Sequence, residues 1–330
     1  MAMSPLGLRN KGGIGSTRAR RPIILGVVGD SAAGKTTLTR GIENIFGQHR
    51  VNSICTDDYH RYDREARKKV QLTPLNPECN YMDIMEQHLA LMAMGEPILK
   101  PVYNHSHGTL DAPEVFEPAD YVVIEGLLGF WTKGMRDCFD VKVFLDPPED
   151  LRRAWKVKRD CTKRNYTPDE VVADMQRREP DSKEFIEPQR EYADIVVRFI
   201  PPGGNLDSDP TKYNVRLVLR PTLPHPYLAE IAAETRTPRY EPIRFHLARD
   251  RGKPVDVLEI DGQVPPEVSA AAEEIIWDKM AHPDGELNRE AIGVFVDANQ
   301  EKRSESLALT QLLIVFQLVG AASAARAGSL

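Results

Sequence analysis

The stretch GDSAAGKTT occupies residues 29–37 and decides the fold class of this chain. It fits the pattern GxxxxGK[ST] at every fixed position. Its glycines let the backbone curl so that N–H groups point at phosphate oxygens, and the N-terminus of a following helix favours negative charge. We therefore predict a phosphate loop that binds a nucleoside triphosphate. The residues of this loop are Gly29, Asp30, Ser31, Ala32, Ala33, Gly34, Lys35, Thr36 and Thr37.

The sequence on both sides of the loop supplies the context that this motif needs. Residues 23–28 are a continuous apolar run, which is typical of a strand buried on both faces of a parallel sheet. After the loop, apolar residues recur at helical spacing at Leu38, Ile42, Ile45 and Phe46. In this setting we expect Lys35 to contact the β- and γ-phosphates and Thr36 to ligate Mg²⁺.

Further strands and helices alternate along the chain. Strands are predicted at residues 51–56, 121–124, 141–145 and 195–199, with helical stretches between several of them. A helix is predicted over residues 149–164, and a second begins after Thr167, where Thr-Pro-Asp-Glu forms a capping box. This alternation predicts an α/β fold with a mostly parallel sheet and helices on both faces.

Composition shifts divide the chain into three parts. Residues 1–21 are basic and free of acids, which predicts a flexible tail, with a short transit peptide as the alternative. Residues 22–200 form the phosphate-loop domain, and residues 201–210 read as a linker or long loop. Residues 211–330 are a smaller α+β addition that completes the same sheet or forms a dimer interface. It includes a predicted half-exposed strand around residues 215–219 and another at 255–260.

Charge and cysteine content exclude some classes of function. The net charge of −6 argues against a general nucleic-acid binder. The four cysteines form no CxxC pair, which argues against a structural zinc site and fits the reducing cytoplasm. The apolar run at residues 307–322 contains three polar residues and is short for a bilayer span, so we expect a buried core or interface helix and no membrane partner.

Three acids lie where predicted strands end, which is where open α/β sheets bind their ligands. Asp57 and Asp58 follow the second strand, and Glu125 follows the third. Phosphoryl transfer uses one carboxylate to orient and deprotonate the attacking hydroxyl, and another acid to hold the Mg²⁺ shell. Glu125 suits the metal role, and Asp57 or Asp58 suits the role of base.

Two groups of cations accompany these acids. The polar run after Asp57 includes His60, Arg61 and Arg64, which could hold a phosphorylated substrate. The helix at residues 149–164 is expected to place charged residues on one face, where its cations can neutralise a transferring phosphoryl group. The residues of this face are Lys156, Arg159, Asp160, Lys163 and Arg164.

At this point the chain resembles the phosphoribulokinase family, specifically the branch found in plants and cyanobacteria. The matching pieces extend from about residue 23 into the C-terminal region. They are ICTDDYH at 54–60 with DR at 63–64, PVYNH at 101–105 with Gly108 and LDAPE at 110–114, VIEGL at 123–127, Lys156 with Arg159, Asp160 and Arg164, QREYAD at 189–194, and VLEIDGQ at 257–263.

The resemblance implies ATP-dependent phosphorylation of D-ribulose 5-phosphate to D-ribulose 1,5-bisphosphate, a Calvin-cycle step that uses Mg²⁺, in a protein that is a homodimer. It assigns the base to Asp57 and the Walker B acid to Glu125, with Lys35, Arg159 and Asp160 completing the catalytic set. The substrate residues that it implies are His60, Arg64, Tyr103, His105, Lys156 and Arg164. The alternative to a substrate role for His105 is a metal site that His105 forms with His107.

The chain departs from the plant enzymes in its cysteines. Those enzymes carry a cysteine inside the phosphate loop that pairs with the cysteine before the base. Here Cys55 stands before the base, but the loop position is Ala33, and no cysteine follows Cys161 for the family's second pair. We therefore predict that the enzyme is not switched by thioredoxin through these bridges.

Two other functions stay open from the sequence. Uridine kinases share the loop, the strand-end base and the basic helix, but they are shorter and are not expected to carry the YNH…LDxPE stretch. A nucleotide-binding regulator that has lost catalysis is the other alternative. Such a protein tends to lose the loop lysine or the base, and this chain has both Lys35 and Asp57.

Overall fold

The computed structural model describes residues 21–164, 166–282 and 285–327. Apart from Arg21, the predicted basic tail lies outside the described residues. The strands within the described ranges are β1 (Ile23–Gly29), β2 (Val51–Cys55), β3 (Ile98–Asn104), β4 (Thr109–Phe116), β5 (Tyr121–Gly126), β6 (Val141–Leu145), β7 (Ile195–Ile200), β8 (Asn214–Leu219), β9 (Ile243–Asp250), β10 (Lys253–Ile260), β11 (Val294–Asp297) and β12 (Gln300–Arg303). The α-helices are α1 (Lys35–Phe46), α2 (Arg64–Val70), α3 (Met82–Ala93), α4 (Lys133–Asp137), α5 (Glu149–Lys163), α6 (Pro168–Asp181), α7 (Leu228–Glu234), α8 (Pro266–Lys279) and α9 (Glu305–Ala327).

An eight-stranded sheet organises the described part of the chain, in the order β2-β5-β1-β6-β7-β8-β10-β9. The five strands from β2 to β7 are parallel, and β8, β10 and β9 continue the sheet in antiparallel fashion. The predicted α/β class with a mostly parallel sheet is therefore confirmed. Because β1 lies between β5 and β6, its carboxyl end opens at the centre of the parallel part, where such sheets bind ligands.

Strand β1 is buried on both faces because its alternate side chains enter two different apolar cores. Ile23, Leu25 and Val27 pack with α1, α8 and α9, whereas Ile24 and Val28 pack with α3 and the segment after β5. A strand covered on both sides needs an unbroken apolar run, as the sequence has here. The phosphate loop thus follows a strand that is fixed from both sides.

Helix α9 is long and apolar enough to cross a membrane by length and composition, with a mean hydropathy of 1.8. However, 72% of its most apolar window is buried, and it packs against α1, α8, β1 and β8. Its polar residues are used inside the core: Gln311 Oε1 accepts a hydrogen bond from Gly293 N at 2.7 Å, and Ser306 Oγ donates to Tyr213 O at 2.6 Å. This burial agrees with the core helix predicted for residues 307–322.

Most predicted elements are present, with shifted ends. The strand predicted to end at residue 56 ends at Cys55, and the helix predicted to end at residue 164 ends at Lys163. The capping box at Thr167 is present. The strand predicted at 121–124 continues to Gly126, so Glu125 lies inside β5 instead of after it, because β5 pairs with β1 and β2 as far as that residue.

Two features of the fold differ from the sequence expectations. Strand β8 is half-exposed only in its first part: Arg216 keeps 42% of its side chain exposed between the buried Val215 and Leu217, whereas Val218 is 7% exposed. Arg220, which follows the strand, is 8% exposed and pairs with Asp250. The β3–β4 hairpin, which forms a separate two-stranded sheet, is absent from the sequence predictions. Its side chains in β4 are mostly exposed, so an alternating apolar pattern is missing there.

Candidate active site

The phosphate loop has the conformation that its glycines allow. Gly34 has φ 96° directly before α1, and Ala32 also takes a positive φ of 65°. The first N–H groups of a helix have no intrahelical acceptor, so the start of α1 is suited to bind an anion. Lys35 Nζ folds back along the loop and donates to Gly29 O at 2.8 Å and to Asp30 O at 2.9 Å. Burial lowers the pKa of Lys35, against the opposing effect of Glu125 and Asp57.

Glu125 faces the loop and accepts hydrogen bonds from two hydroxyls of α1. Thr36 Oγ1 donates to its Oε1 and Thr39 Oγ1 to its Oε2, each at 3.1 Å. Burial raises the pKa of Glu125, and Lys35 and the two hydroxyls oppose that rise. Sequence reasoning missed Thr39, although it lies one turn after Thr36 on the same face of α1.

The oxygens of Thr36 and Glu125 fit a magnesium ion. Mg²⁺ prefers hard oxygen ligands in octahedral geometry, and adjacent ligand atoms on such an ion lie about 3 Å apart. The hydroxyl and carboxylate oxygens of this pair are 3.1 Å apart. The donor set therefore suits the ion that accompanies a nucleoside triphosphate.

The structure separates the two acids that follow β2. Asp58 is held inside the protein: Lys100 Nζ donates to its Oδ2 at 2.6 Å, and Tyr103 N donates to its Oδ1 at 3.0 Å. Asp57 has no such ties among the described residues; its side chain is 26% exposed, and the nearest ion-pair partner is His105 Nε2 at 3.8 Å. Burial would raise the pKa of Asp57, but His60, His105, Lys35 and Arg67 lower it below its ordinary value. Asp57 is thus the acid that is available as an ionised base.

The β3–β4 hairpin places two side chains beside Asp57. The buried Tyr103 ring packs edge-on between His60 and His105, with ring centroids 4.9 Å and 5.0 Å away. His60 is also buried and shares a 2.7 Å hydrogen bond with Asn80 Oδ1, and burial lowers its pKa. His105, in contrast, has 45% of its side chain exposed, so it can meet a ligand.

Two arginines of α2 hold this hairpin. Arg64 Nη2 donates to His105 O at 2.8 Å, and its own N–H donates to Gly108 O at 2.7 Å. Arg67 Nη2 donates to the Tyr103 hydroxyl at 2.9 Å. Arg67 Nη1 is buried without a hydrogen-bond partner among the described residues. Sequence reasoning selected Arg64 but missed Arg67, which follows it by three residues on the same helix face.

On α5, three predicted cations converge on Asp160. Lys156 Nζ donates to Asp160 Oδ2 at 2.9 Å, Arg159 Nε donates to Oδ1 at 2.8 Å, and Arg164 Nη1 lies 3.5 Å from Oδ1. Burial alone would raise the pKa of Asp160, but hydrogen bonds from Arg159 and Lys156 lower it to about 2. The side chain of Lys163, also predicted for this face, lies outside the described part of the structure.

Helix α5 and Ser182, the residue after α6, contact the phosphate loop directly. Arg159 Nη2 donates to Ser31 Oγ at 3.3 Å, Arg152 Nη1 donates to Ser31 O at 3.2 Å, and Ser182 Oγ donates to Asp30 Oδ2 at 2.5 Å. Burial and the neighbouring Arg159 lower the pKa of Arg164, against the raising effects of Asp160 and Asp57. Sequence reasoning missed Arg152, although it lies four residues before Lys156 and therefore on the same face.

The cysteines and the second histidine take separate positions. The four cysteines, all within the described ranges, are free thiols. Cys55 is paired with Glu125 in the β2–β5 register, and burial, Asp57 and Glu125 raise its pKa. Its sulfur lies with Asp57 and His105 in a cluster whose ligand atoms are within 4.8 Å of one another. His107 is exposed and is not part of this cluster.

At one edge of a mostly parallel sheet, the chain brings together a cradle for phosphate and a carboxylate that can accept a proton. This combination, with cations of α5 above it, places the protein among the kinases that use a phosphate loop. Residues 24–203 match the family model described as "Phosphoribulokinase / Uridine kinase family". The chain belongs to this family and is a phosphotransferase with an alcohol group as acceptor.

Several curated relatives carry the first of these two names. The chain is 35% identical to the phosphoribulokinase of Synechocystis sp. over 261 residues, which cover 75% of this chain and 79% of the relative. It is 32% identical to the chloroplastic phosphoribulokinase of Arabidopsis thaliana, over 75% of this chain and 70% of the relative. A uridine kinase of Latilactobacillus sakei is also 32% identical, over 58% of this chain and 90% of the relative.

A solved structure supports the fold independently. The phosphoribulokinase from Rhodobacter spheroides superposes with a TM-score of 0.57 over 79% of this chain and 97% of that chain. Since only 18% of the aligned residues are identical, this similarity concerns the architecture and not the details of the site.

Proposed function

We propose that this protein is a phosphoribulokinase, which phosphorylates D-ribulose 5-phosphate with ATP to give D-ribulose 1,5-bisphosphate and ADP. The observation that carries the proposal is the extent of the match. The Synechocystis phosphoribulokinase covers 75% of this chain, whereas the Latilactobacillus uridine kinase covers 58% at similar identity. The additional matched length favours the sugar phosphate over a nucleoside as the acceptor.

Asp57 is the proposed general base. Its low pKa keeps it ionised at neutral pH, and its partial exposure lets an acceptor hydroxyl approach. The O1 hydroxyl of ribulose 5-phosphate donates its proton to Asp57 as O1 forms a bond to the γ-phosphorus. The bond from that phosphorus to the β–γ bridging oxygen breaks, and its electron pair leaves with ADP. Asp58 cannot serve equally well, because Lys100 and the Tyr103 amide occupy its carboxylate.

The cations on both sides of the loop neutralise charge during the transfer. Lys35 leaves the loop carbonyls and contacts the β- and γ-phosphates. Arg159 and Arg164, which are partly exposed, approach the transferring group, and Asp160 fixes their direction together with the buried Lys156. Such preorganised charges stabilise a transition state because they do not need to reorient. The loop residues 29–37 hold the ATP phosphates.

The acceptor sugar phosphate is proposed to lie against the β3–β4 hairpin. His105 and Arg64 are its accessible contacts, and His60 and Tyr103 support them from beneath. Thr36 and Glu125 would hold Mg²⁺, which when bound offsets the charge of the β- and γ-phosphates. Both assignments use side chains that already face the loop or the base.

The proposed domain division, localisation, oligomeric state and redox behaviour follow from the same family resemblance. Residues 22–200 are proposed as the kinase domain and residues 211–330 as the α+β addition, in a cytoplasmic homodimer. Strands β8, β10 and β9 of the addition extend the kinase sheet, since β8 pairs with β7, whereas β11 and β12 form a separate two-stranded sheet. Because the loop position is Ala33, the plant-type disulfide cannot form there, which supports the proposal that thioredoxin does not switch this enzyme through it.

An ADP-release assay with separate acceptors tests the proposal. The purified chain is supplied with MgATP and either ribulose 5-phosphate, uridine or no acceptor. We expect ADP release that depends on ribulose 5-phosphate, with ribulose 1,5-bisphosphate identified by mass spectrometry. Turnover with uridine alone would favour a nucleoside kinase, and ATP binding without turnover would favour a regulator; either result would overturn the proposal.

A further inference from the structure

The cluster of Cys55, Asp57 and His105 has the chemistry of a transition-metal site. A thiol, a carboxylate and an imidazole each offer one ligand atom, and these atoms all lie within 4.8 Å of one another. His105 Nε2 and Asp57 Oδ2 are 3.8 Å apart. In a tetrahedral zinc site, neighbouring ligand atoms lie about 3.3–3.8 Å apart. Small rotations of two partly exposed side chains would therefore complete the geometry.

The donor types separate this cluster from the magnesium site. Mg²⁺ selects hard oxygen atoms, which are offered by Thr36 and Glu125. Sulfur and imidazole nitrogen select Zn²⁺ or its neighbours in the first transition row. A negative charge beside the cluster also favours a cation, since Cys55 is paired with Glu125 in the β2–β5 register. Lys35 offsets part of this negative charge, because it acts on Asp57 from the loop side.

We propose that Cys55, Asp57 and His105 form a zinc site, and that Zn²⁺ bound there inhibits the kinase. On binding, the Cys55 thiol releases its proton to solvent as the Zn–S bond forms, and Asp57 and His105 each donate a lone pair. Three protein ligands leave a fourth position for water. The inhibition rests on the proposed function: an Asp57 carboxylate bound to zinc cannot accept a proton from the acceptor hydroxyl, while the phosphate loop stays free for ATP.

Zinc binding is measured without any substrate, by competition between the full chain and a chromophoric chelator. We expect one Zn²⁺ per chain, and affinity reduced at least about tenfold in Cys55→Ser and in His105→Gln. The matched controls are Cys138→Ser and His107→Ala, a thiol and an imidazole outside the cluster, which should bind zinc like the wild type. Co²⁺ should give a thiolate charge-transfer band that Cys55→Ser abolishes.

Inhibition is then measured by ADP release at buffered free Zn²⁺ and saturating MgATP. We expect zinc to suppress turnover in the wild type and in Cys138→Ser, with recovery on addition of a chelator, and Cys55→Ser to resist it. No zinc binding, or equal binding in Cys55→Ser and the wild type, would overturn the site. Binding as expected with an uninhibited wild type would overturn the inhibition. If no turnover with ribulose 5-phosphate is found, the proposed function and the inhibition with it fail, but the chelator experiment still decides the site.

Discussion

Lys100 Nζ lies 2.6 Å from Asp58 Oδ2, and this buried ion pair distinguishes the two adjacent acids that follow β2. The pair holds Asp58 against the β3–β4 hairpin, whereas Asp57 stays partly exposed beside His105. Two residues of the same type, side by side in the sequence, therefore have different roles because only one of them meets a buried lysine.

The first prediction concerns these two acids. We expect Asp57→Asn to lower kcat by about 10²–10⁴-fold, because the proposed base is lost, and to leave ATP binding within about threefold of the wild type. Asp58→Asn should instead lower the free energy of unfolding by about 1–3 kcal/mol, since Lys100 loses a buried partner. Steady-state kinetics, nucleotide titration and chemical denaturation measure these effects. A larger loss of kcat in Asp58→Asn than in Asp57→Asn would reverse the assignment.

The second prediction concerns magnesium. Glu125→Gln keeps one oxygen that can accept from Thr36 or Thr39, and its amide group can donate to the other hydroxyl, but the negative charge is removed. We therefore expect a folded protein whose half-saturating Mg²⁺ concentration rises about tenfold or more at fixed ATP. Glu230→Gln is the control, because Glu230 is a carboxylate of α7, in the α+β addition, that pairs with Lys279 at 3.6 Å. Equal magnesium dependence in both variants would remove Glu125 from the metal site.

The third prediction concerns pH. Arg67 is one of the groups that lower the pKa of Asp57, so Arg67→Met should raise that pKa. Since Asp57 must be ionised to accept a proton, the acid limb of kcat/KM should move to higher pH, by less than about one unit. Arg67→Lys keeps the positive charge, so its acid limb should lie close to the pH of the wild-type limb. The exposed Arg61 supplies the control Arg61→Gln, and an acid limb that moves equally in this variant would contradict the role of Arg67.

The fourth prediction concerns stability. The pKa of Asp160 is lowered to about 2 from an ordinary 3.8, so its ionised form stabilises the fold. This contribution is complete above about pH 4 and is lost as the pH falls toward 2. Asp160→Asn should reduce the free energy of unfolding by about 2 kcal/mol at neutral pH, with a difference that shrinks at low pH. Asp169→Asn, at an exposed position in the first turn of α6, should have little effect; a pH-independent loss in Asp160→Asn would refute the linkage.

The fifth prediction concerns the thiols. After incubation with oxidised thioredoxin and denaturation, we expect the four cysteines to react fully with a thiol reagent and turnover to be unchanged. The reason is that Ala33 offers no sulfur to Cys55 within the loop. A plant-type phosphoribulokinase treated in parallel provides the positive control. Loss of two thiols together with reversible loss of turnover would contradict the prediction.

The sequence predicts the phosphate-loop end of this site well, because its information is local. The motif, the apolar strand before it and the helical spacing after it all lie within residues 23–46. Glu125 could also be selected, since it ends an apolar run. The contacts of Asp58 with Lys100 could not be predicted, because a pairing across 42 positions leaves no periodic pattern in either segment.

The hairpin and the arginines show the same limit. Strand β4 is mostly exposed, and β3 buries a lysine and a tyrosine beside Ile98, so neither strand shows a regular apolar alternation. Arg64 and Arg67 are the same residue type on the same helix. What distinguishes Arg67 is its hydrogen bond to the Tyr103 hydroxyl of the hairpin. The packing of α2 against the hairpin determines that Arg64 contacts His105 O and Arg67 contacts the Tyr103 hydroxyl.

The position of helix α9 determines when the N-terminal part of the protein can complete its folding during synthesis. Its side chains pack against α1 and β1, and Gln311 lies where a side-chain carbon at Gly41 would come within 1.9 Å. The first strand and first helix thus share a core with the last described helix, across more than 250 residues. During synthesis, the nucleotide cradle near the start of the chain must wait for this helix to leave the ribosome before its core can close.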